Sequence, residues 1–336
     1  MKAVQVVRPG EIAVEELPLP SPGPGEALLR VRYAGICGSD MQTFAGTQPF
    51  ATYPRVPGHE FAAEVVEVNG SAPHLSQGLL VTGNPYFNCG RCYSCRRGRV
   101  NCCENNQTMG VHRDGSFQEH IVMPVELVHP AAGVDPQIVA MVEPFSIGYH
   151  AMTRARVGDG DKVLVIGAGA IGMLTMVSAQ VLGADVWIAD VIPERLEVAT
   201  AMGAAGAFDL RQTGIDEVVA AATGADGFDV VGEATGLPVS FLNAIEAAAF
   251  GGVVALIGNG TREVTFNQST IIKKELDVLG SRNSLHAFEP LVQLLQGGAV
   301  DITPIRTSVR PFTETVEAMQ DLREHPDRNI KVLIEF

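Results

Sequence analysis

Basic residues are scarce in this chain: 24 Lys and Arg face 38 Asp and Glu, for a formal charge of −14. Non-specific binding to nucleic acid or to an anionic membrane needs the opposite balance, so the composition speaks against both partners. A small anionic ligand needs only one or two local bases and stays open. Cysteine is missing from most of the chain, since all six lie between Cys37 and Cys103. That crowding fits metal ligation in a reducing compartment better than a disulfide framework. The N-terminal MKAVQVVRPGEIAVEELPLP lacks an apolar core of signal-peptide length, from which a cytoplasmic location is expected. Internal repeats and low-complexity tracts are also missing. Charged residues make up 18% and hydrophobic ones 46%, the proportions of an ordinary globular protein. At 336 residues the chain exceeds the usual single-domain size and suggests two domains with substantial cores.

Long uncharged runs are few, and the one that stands out covers 163–184. It is long enough to span a bilayer, but Gly167, Gly169 and Gly172 break it where a strand would give way to a helix. Lys162–Ile166 is short and β-branched, and the segment beyond it suffices for about three turns of helix. The run Gly167, Ala168, Gly169, Ala170, Ile171, Gly172 is a G-x-G-x-x-G placed between the two, which suits a dinucleotide pyrophosphate. Gly167 permits the turn, Gly169 lets the backbone approach the phosphates, Gly172 lets helix and strand pack, and the free helical N–H groups hold the anion. The next strand, 185–189, ends in Asp190, whose carboxylate should accept the ribose hydroxyls. An acid there favours NAD over NADP, because a 2′-phosphate meets a like charge; Arg195 softens the preference. A flavodoxin-like or purely structural α/β turn is the competing reading.

Residues 1 to about 140 read as short strands split by Gly and Pro, among them EALLRVRYAGI, EFAAEVVEVNG and QEHIVMP. Alternation over 61–68 marks a half-buried strand, and the whole suggests a β-rich, partly closed barrel with long loops. From about 145 to 280 strands and helices alternate, which predicts six parallel strands and a doubly wound sheet. The remainder holds amphipathic helices at 290–295 and 312–322 and a strand at 331–336. Too short to stand alone, it should pack back on the first domain. The fold class is α/β, with expected boundaries 1–144, 145–281 and 282–336.

Cys89, Cys92, Cys95 and Cys103 follow C-x2-C-x2-C-x7-C. Four thiolates at that spacing can close a tetrahedron around Zn2+ with no open position, a structural site; Cys102 is the alternative to Cys103. Arg91, Arg96, Arg97 and Arg99 crowd the same loop and would offset the negative charge of a zinc tetrathiolate. Cys37, His59 and an acid, Glu60 or Glu143, are scattered through AGICGSD, VPGHEF and MVEPFSIG. A thiolate, an imidazole and a carboxylate suit Zn2+ and leave a fourth position open, as a catalytic site requires. Taken alone, Cys37 reads equally as a buried core residue and His59 as an ordinary loop histidine.

C-G-S-D at 37–40, G-H-E at 58–60, the four-cysteine lobe, E-P-F-S-I-G at 143–148 and G-A-G-A-I-G at 167–172 stand in a definite order and spacing. In these the chain resembles, over essentially its whole length, the zinc-dependent medium-chain alcohol and polyol dehydrogenases. The resemblance implies a GroES-like β-rich catalytic domain plus a Rossmann doubly wound parallel sheet, one catalytic and one structural Zn2+, NAD, and a homodimer or homotetramer. Glu60 and Glu143 both match acids beside the metal, with Glu60 expected as the resting ligand and Glu143 as a supporting or exchanging one. Neighbours on an ideal strand point to opposite faces, so His59 and Glu60 both reach the metal only if the backbone bends there. Ser39 matches the family's hydroxyl relay for the substrate proton, and Asp40 should orient His59 by accepting its second N–H. Gln42 departs from the family, many of whose members have His there. Gln does not titrate near pH 7, so the proton must leave through water or another base.

QPFATYPRVPGHEF, GVHRDGSFQEH, EPFSIGYH and GSRNS look most like the bacterial L-galactonate and L-gulonate 5-dehydrogenases. That likeness implies oxidation of a secondary hydroxyl in a six-carbon sugar acid, whose carboxylate calls for a base able to fork two hydrogen bonds. Arg55 and Arg282 are the candidates, with His112 and Asn283 as further hydrogen-bonding groups; Arg282 and Asn283 also lie where a nicotinamide contact is expected. A polyol or L-threonine dehydrogenase is the alternative on the same scaffold. A zinc-stabilised NAD-sensing protein without chemistry is a third reading.

Overall fold

The computed structural model describes residues 1–336. Contacts divide the chain into two compact units, Met1–Glu143 with Leu285–Phe336, and Pro144–Ser284.

In the first unit Glu26–Gly35 is the central strand of a seven-stranded sheet. The order is Arg306–Pro311, Lys331–Glu335, Glu26–Gly35, Glu60–Asn69, Leu80–Gly83, Val128–Pro130, with His120–Pro124 also paired to the central strand. Glu60–Asn69 runs antiparallel along one edge of it, from Gly35 opposite Glu60 to Glu26 opposite Asn69. The other edge is shared: 26–30 face His120–Pro124, and 33–35 face the C-terminal strand. The period-two pattern of 61–68 puts Phe61, Ala63 and Val65 inward, at 0%, 0% and 2% exposure. They share one core with Leu29, Phe117, Met123, Met319, Val332 and Ile334, and burying Phe61 alone contributes about 2 kcal/mol. The last segment therefore packs on the first, and it brings Lys331 next to the end of the central strand. Where one helix is expected at 312–322, a short 3-10 turn, Phe312–Glu314, precedes the helix Thr315–Glu324. The Thr315 hydroxyl donates to the Phe312 carbonyl at 2.7 Å, which closes that turn.

The second unit holds six strands, each parallel to its neighbours, in the order Gly206–Asp209, Asp185–Asp190, Lys162–Ile166, Phe228–Glu233, Ala248–Leu256, Asp277–Gly280. This 3-2-1-4-5-6 order is that of the doubly wound dinucleotide sheet, with its crevice where the order reverses beside the first strand. Val163 to Ile166 are all buried, as strands of such a sheet should be. Helices follow at Ala170–Val181, Pro193–Ala201, Ile215–Thr223 and Pro238–Ala247. The uncharged run is thus a strand and a helix, and no helix of the protein is long and apolar enough to cross a membrane. The strand Ala248–Leu256 lies one position in from the edge strand Asp277–Gly280.

Candidate active site

Cys37 ends the central strand's turn and opens the helix Gly38–Ala45, its backbone extended at φ −105, ψ 160. Asp40, fully buried in the first turn, accepts the Cys37 N–H on Oδ2 at 2.9 Å and the Gly58 N–H on Oδ1 at 2.9 Å. One carboxylate thereby ties together the two segments that carry Cys37 and His59. His59 Nδ1 faces the same carboxylate at ion-pair range, 3.9 Å from Oδ1, which is longer than the orienting hydrogen bond expected of Asp40, and Nδ1 has no hydrogen-bond partner. The next strand starts only at Glu60, so His59 occupies the bend before it. Gly58 makes that bend with φ +96, and a Cβ there would sit 2.4 Å from the Phe117 ring. Freed from strand alternation, the ligand atoms of Cys37, His59 and Glu60 come within 4.8 Å of one another.

The donor set fits zinc, a borderline-soft cation that takes sulfur, nitrogen and oxygen. Burial lowers the His59 pKa, but the negative charges of Cys37 and Asp40 outweigh it and leave the imidazole well above its ordinary value. The pocket thus demands positive charge, which a dication would supply. Glu143 stands outside the triangle, and the Tyr86 hydroxyl donates to its Oε1. Burial, reinforced by Glu60 and opposed by His59, raises the Glu143 carboxyl to about 7. Burial and the Glu143 charge likewise push the Tyr86 phenol well above its ordinary value, which keeps it the donor.

Sequence reasoning missed both Tyr86 and Lys331. Lys331 Nζ donates to Glu60 Oε1 at 2.8 Å, to Glu60 Oε2 at 2.7 Å and to the Ile36 carbonyl at 3.0 Å. Lys331 is 3% exposed and Glu60 0%. Burial works against the ammonium, yet Glu60 and Cys37 more than restore it and raise its pKa. The available signals were slight: a lone base heading the apolar run KVLIEF, and a tyrosine just before the cysteine lobe.

In that lobe the sulfurs of Cys89, Cys92, Cys95 and Cys103 lie within 4.8 Å of one another, so Cys103 and not Cys102 is the fourth member. Cys92 Sγ is 3.4 Å from Cys95 Sγ and 3.9 Å from Cys103 Sγ. Zn–S bonds of about 2.3 Å set tetrahedral sulfurs about 3.8 Å apart, whereas a disulfide needs about 2.05 Å. The Cys89 amide donates to Cys103 Sγ at 3.3 Å and the Asn105 side chain to Cys89 Sγ at 3.7 Å, the kind of donor that steadies a thiolate. Backbone amides of Arg91 and Cys92 draw the Cys89 thiol down to about 6, while burial and the neighbouring cysteines push Cys95 up to about 12. Four thiols cannot all ionise together near neutrality unless a cation joins them. Of the loop arginines, Arg97 lies over the Tyr93 ring, 5.5 Å from its centroid, and Arg96 donates to the Arg91 carbonyl.

The glycine run of the second unit is built for close approach. Gly167 has φ +104, and a Cβ on Gly172 would lie 1.7 Å from the Gly167 carbonyl oxygen. Gly169 precedes the helix that Ala170 and Ile171 begin, and no side chain caps that helix, which leaves its N–H groups to an anion. Asp190 Oδ2 accepts the Ala168 N–H, and Oδ1 accepts those of Val191 at 2.6 Å and Ile192 at 2.9 Å. It therefore clamps the glycine loop to the end of the second strand. Arg195 Nη1 lies 3.7 Å from where a Gly169 Cβ would stand, so this base reaches the loop itself. Glu233, 2% exposed and also missed, accepts the Thr235 and Gly236 amides at 2.8 and 3.0 Å.

The expected substrate groups are less well placed. Arg55 is already engaged: Nη1 donates to Asp114 Oδ1 at 2.9 Å and Nη2 to Thr52 Oγ1 at 2.7 Å. With 11% of its side chain exposed, it braces two loops, while its buried Nε has no hydrogen-bond partner. His112 Nδ1 accepts the Thr108 N–H at 3.1 Å, and its ring stacks on Phe50 with centroids 5.4 Å apart. Arg282, exposed, and Asn283, left-handed at φ +50, follow the last strand of the second unit. Ser39 is the second residue of its helix, and exposed Gln42 accepts from the Gln48 side chain at 3.4 Å.

The family model for the alcohol dehydrogenase GroES-like domain matches residues 23–133, and that for zinc-binding dehydrogenases matches 170–297. The chain belongs to the zinc-binding alcohol dehydrogenase family. It is 35% identical to the L-galactonate-5-dehydrogenase of Escherichia coli K12, over 93% of this chain and 92% of that protein. It is 36% identical to an L-threonine 3-dehydrogenase of Saccharopolyspora erythraea, over 93% and 92%. Among solved structures, an alcohol dehydrogenase from Escherichia coli CFT073 complexed with NADH matches with a TM-score of 0.94 at 30% identity, over 100% of this chain and 99% of that one. This dehydrogenase is accordingly an oxidoreductase of zinc and a nicotinamide dinucleotide, with a structural zinc site in its cysteine lobe.

Proposed function

We propose that this dehydrogenase oxidises a secondary hydroxyl of a sugar acid, at C5 of L-galactonate or L-gulonate, and passes the hydride to NAD. The convergence of Cys37, His59 and Glu60 supports the chemistry, and the likeness to an L-galactonate-5-dehydrogenase supports the substrate. Cys37, His59 and Glu60 would hold the catalytic zinc with Glu143 beside them, and the four cysteines the structural one. When bound, zinc supplies a Lewis acid for the substrate oxygen and NAD an acceptor for hydride. Ser39 Oγ, on the turn that Cys37 opens, accepts the hydroxyl proton while giving up its own toward the cofactor ribose, and beyond that point the proton leaves through water or another base, because the Gln42 amide cannot titrate. Asp190 takes the ribose hydroxyls and disfavours a 2′-phosphate, while Arg195 tempers that choice. Arg282 is the base for the substrate carboxylate. The reading includes a cytoplasmic homodimer or homotetramer, for which the mass in solution is the check.

A second reading, a polyol or L-threonine dehydrogenase, draws on the commitment of Arg55 to Asp114 and Thr52, which leaves one base fewer for a hexonate. The deciding experiment follows NADH absorbance with L-galactonate, L-gulonate, sorbitol and L-threonine, in the parent protein and in Arg282→Ala. On the first reading kcat/KM for an aldonate exceeds the others at least about a hundredfold and falls at least about tenfold in the variant. A preference for sorbitol or L-threonine that Arg282→Ala does not touch would establish the second.

A further inference from the structure

The first unit carries a cavity of about 570 Å3 that neither metal site uses. It lies between Val128–Pro130, the last strand of the seven-stranded sheet, and the helix Phe288–Gln296, and its size is that of a small-molecule site. The strand side supplies Glu126, on the short turn before the strand, and His129; the helix side supplies Glu289, in the first turn; His74 faces the same space. Val128 and Val292 add buried apolar wall, and no Lys or Arg lines the cavity. The two sides are fixed to one another at both ends of the helix. Buried Phe288 stacks on the His129 imidazole with centroids 5.2 Å apart and planes 17° from parallel. At the far end the Gln296 amide donates to the Ala132 carbonyl at 2.9 Å. The space between is therefore preformed.

Its chemistry is that of an acceptor. Burial, opposed by Glu289 and aided by His74, lowers the His129 pKa, so near neutral pH the ring is uncharged and one nitrogen can accept a hydrogen bond. The protein itself offers neither ring nitrogen a partner. Histidine, cysteine and acid side chains converge tightly enough for a metal ion at the two sites already described and not here. Two carboxylates on opposite sides, an accepting imidazole and apolar wall between them match a molecule with a charged donor at each end and a methylene stem. We propose that this cavity binds an aliphatic diamine, with one ammonium at Glu126, the other at Glu289 and His129, and the stem against Val128 and Val292. The site is separate from the hydride-transfer chemistry and does not depend on which hydroxyl compound is oxidised.

The test titrates the zinc-loaded, full-length protein, its histidine rings isotope-labelled, with butane-1,4-diamine, and follows the ring signals by NMR. The signals of His74 and His129 are identified by their loss in His74→Gln and His129→Gln. Both should move together and saturate with a Kd of about 1 mM or lower. Butylamine, which has a single ammonium, should bind at least about tenfold more weakly. Glu126 and Glu289 are exposed, so replacing them leaves the fold intact, and the double variant Glu126→Gln with Glu289→Gln should weaken the diamine at least about tenfold. No movement of either ring up to about 20 mM, movement of the His59 ring alone, which would put the amine on the catalytic metal, an equal affinity for butylamine, or an unchanged affinity in the double variant overturns the proposal.

Discussion

In the cysteine lobe all four donors come from one short stretch, Cys89 to Cys103, they are chemically identical, and a backbone amide within that stretch and the Asn105 amide just after it steady them. At the other site Cys37 follows one strand, His59 and Glu60 open a second, Glu143 begins a helix, and Lys331 arrives from the C-terminal strand. Four equal thiolates close a coordination shell and leave nothing to rearrange, which suits a brace. Three unlike donors, one already shared with an ammonium, leave a shell that is open, which suits chemistry. Locality is the lesson: a site assembled within a loop is set once that loop closes, whereas a site assembled from remote strands inherits its charge balance from the whole unit.

That contrast can be broken most sharply at Cys37. Cys37→Ser should cut kcat at least about a thousandfold through loss of the Lewis acid and lower metal content from two zinc per chain to one, with little change in melting temperature. Cys95→Ser should do the reverse. It removes the structural ion, whose binding energy is folding energy, so melting should fall by about 5 °C or more while the folded fraction keeps its turnover. If both variants lost activity and stability alike, the division between brace and reaction centre would fail. A smaller effect is expected in the second unit: Asp190→Ala should raise KM for NAD about tenfold and narrow the gap to NADP, as judged by initial rates with each coenzyme.

The subtlest comparison concerns pH. Glu143 sits at about 7 in the fold against an ordinary 4.5, so between those values the folded state holds a proton that the unfolded chain has released. Its contribution to stability is fully present below pH 4.5 and is lost as pH rises through about 7. Metal-free protein should therefore lose up to about 3 kcal/mol across that window, and Glu143→Gln should remove the slope. Denaturant melts at several pH values decide this, and a slope of equal size in Glu143→Gln would assign it to another group. The cysteine lobe should show the opposite trend, since zinc retention there improves as pH rises and its thiols ionise.

Much of the architecture was legible because it is written in short-range patterns. Alternation over 61–68 gave a strand, the glycines at 167, 169 and 172 gave a strand, turn and helix, and C-x2-C-x2-C-x7-C gave a tetrahedral cluster, each needing only neighbours within a few turns of chain. What only the tertiary structure decided was the company each reactive group keeps. Asp40 bonds to the amides of Cys37 and Gly58 and not to the imidazole, Arg55 is taken by Asp114 and Thr52, and Glu60 is held by Lys331 from the far end of the chain. A hydrogen bond is won or lost over less than an ångström, and such distances between remote residues are set by the packing of the strands that carry them.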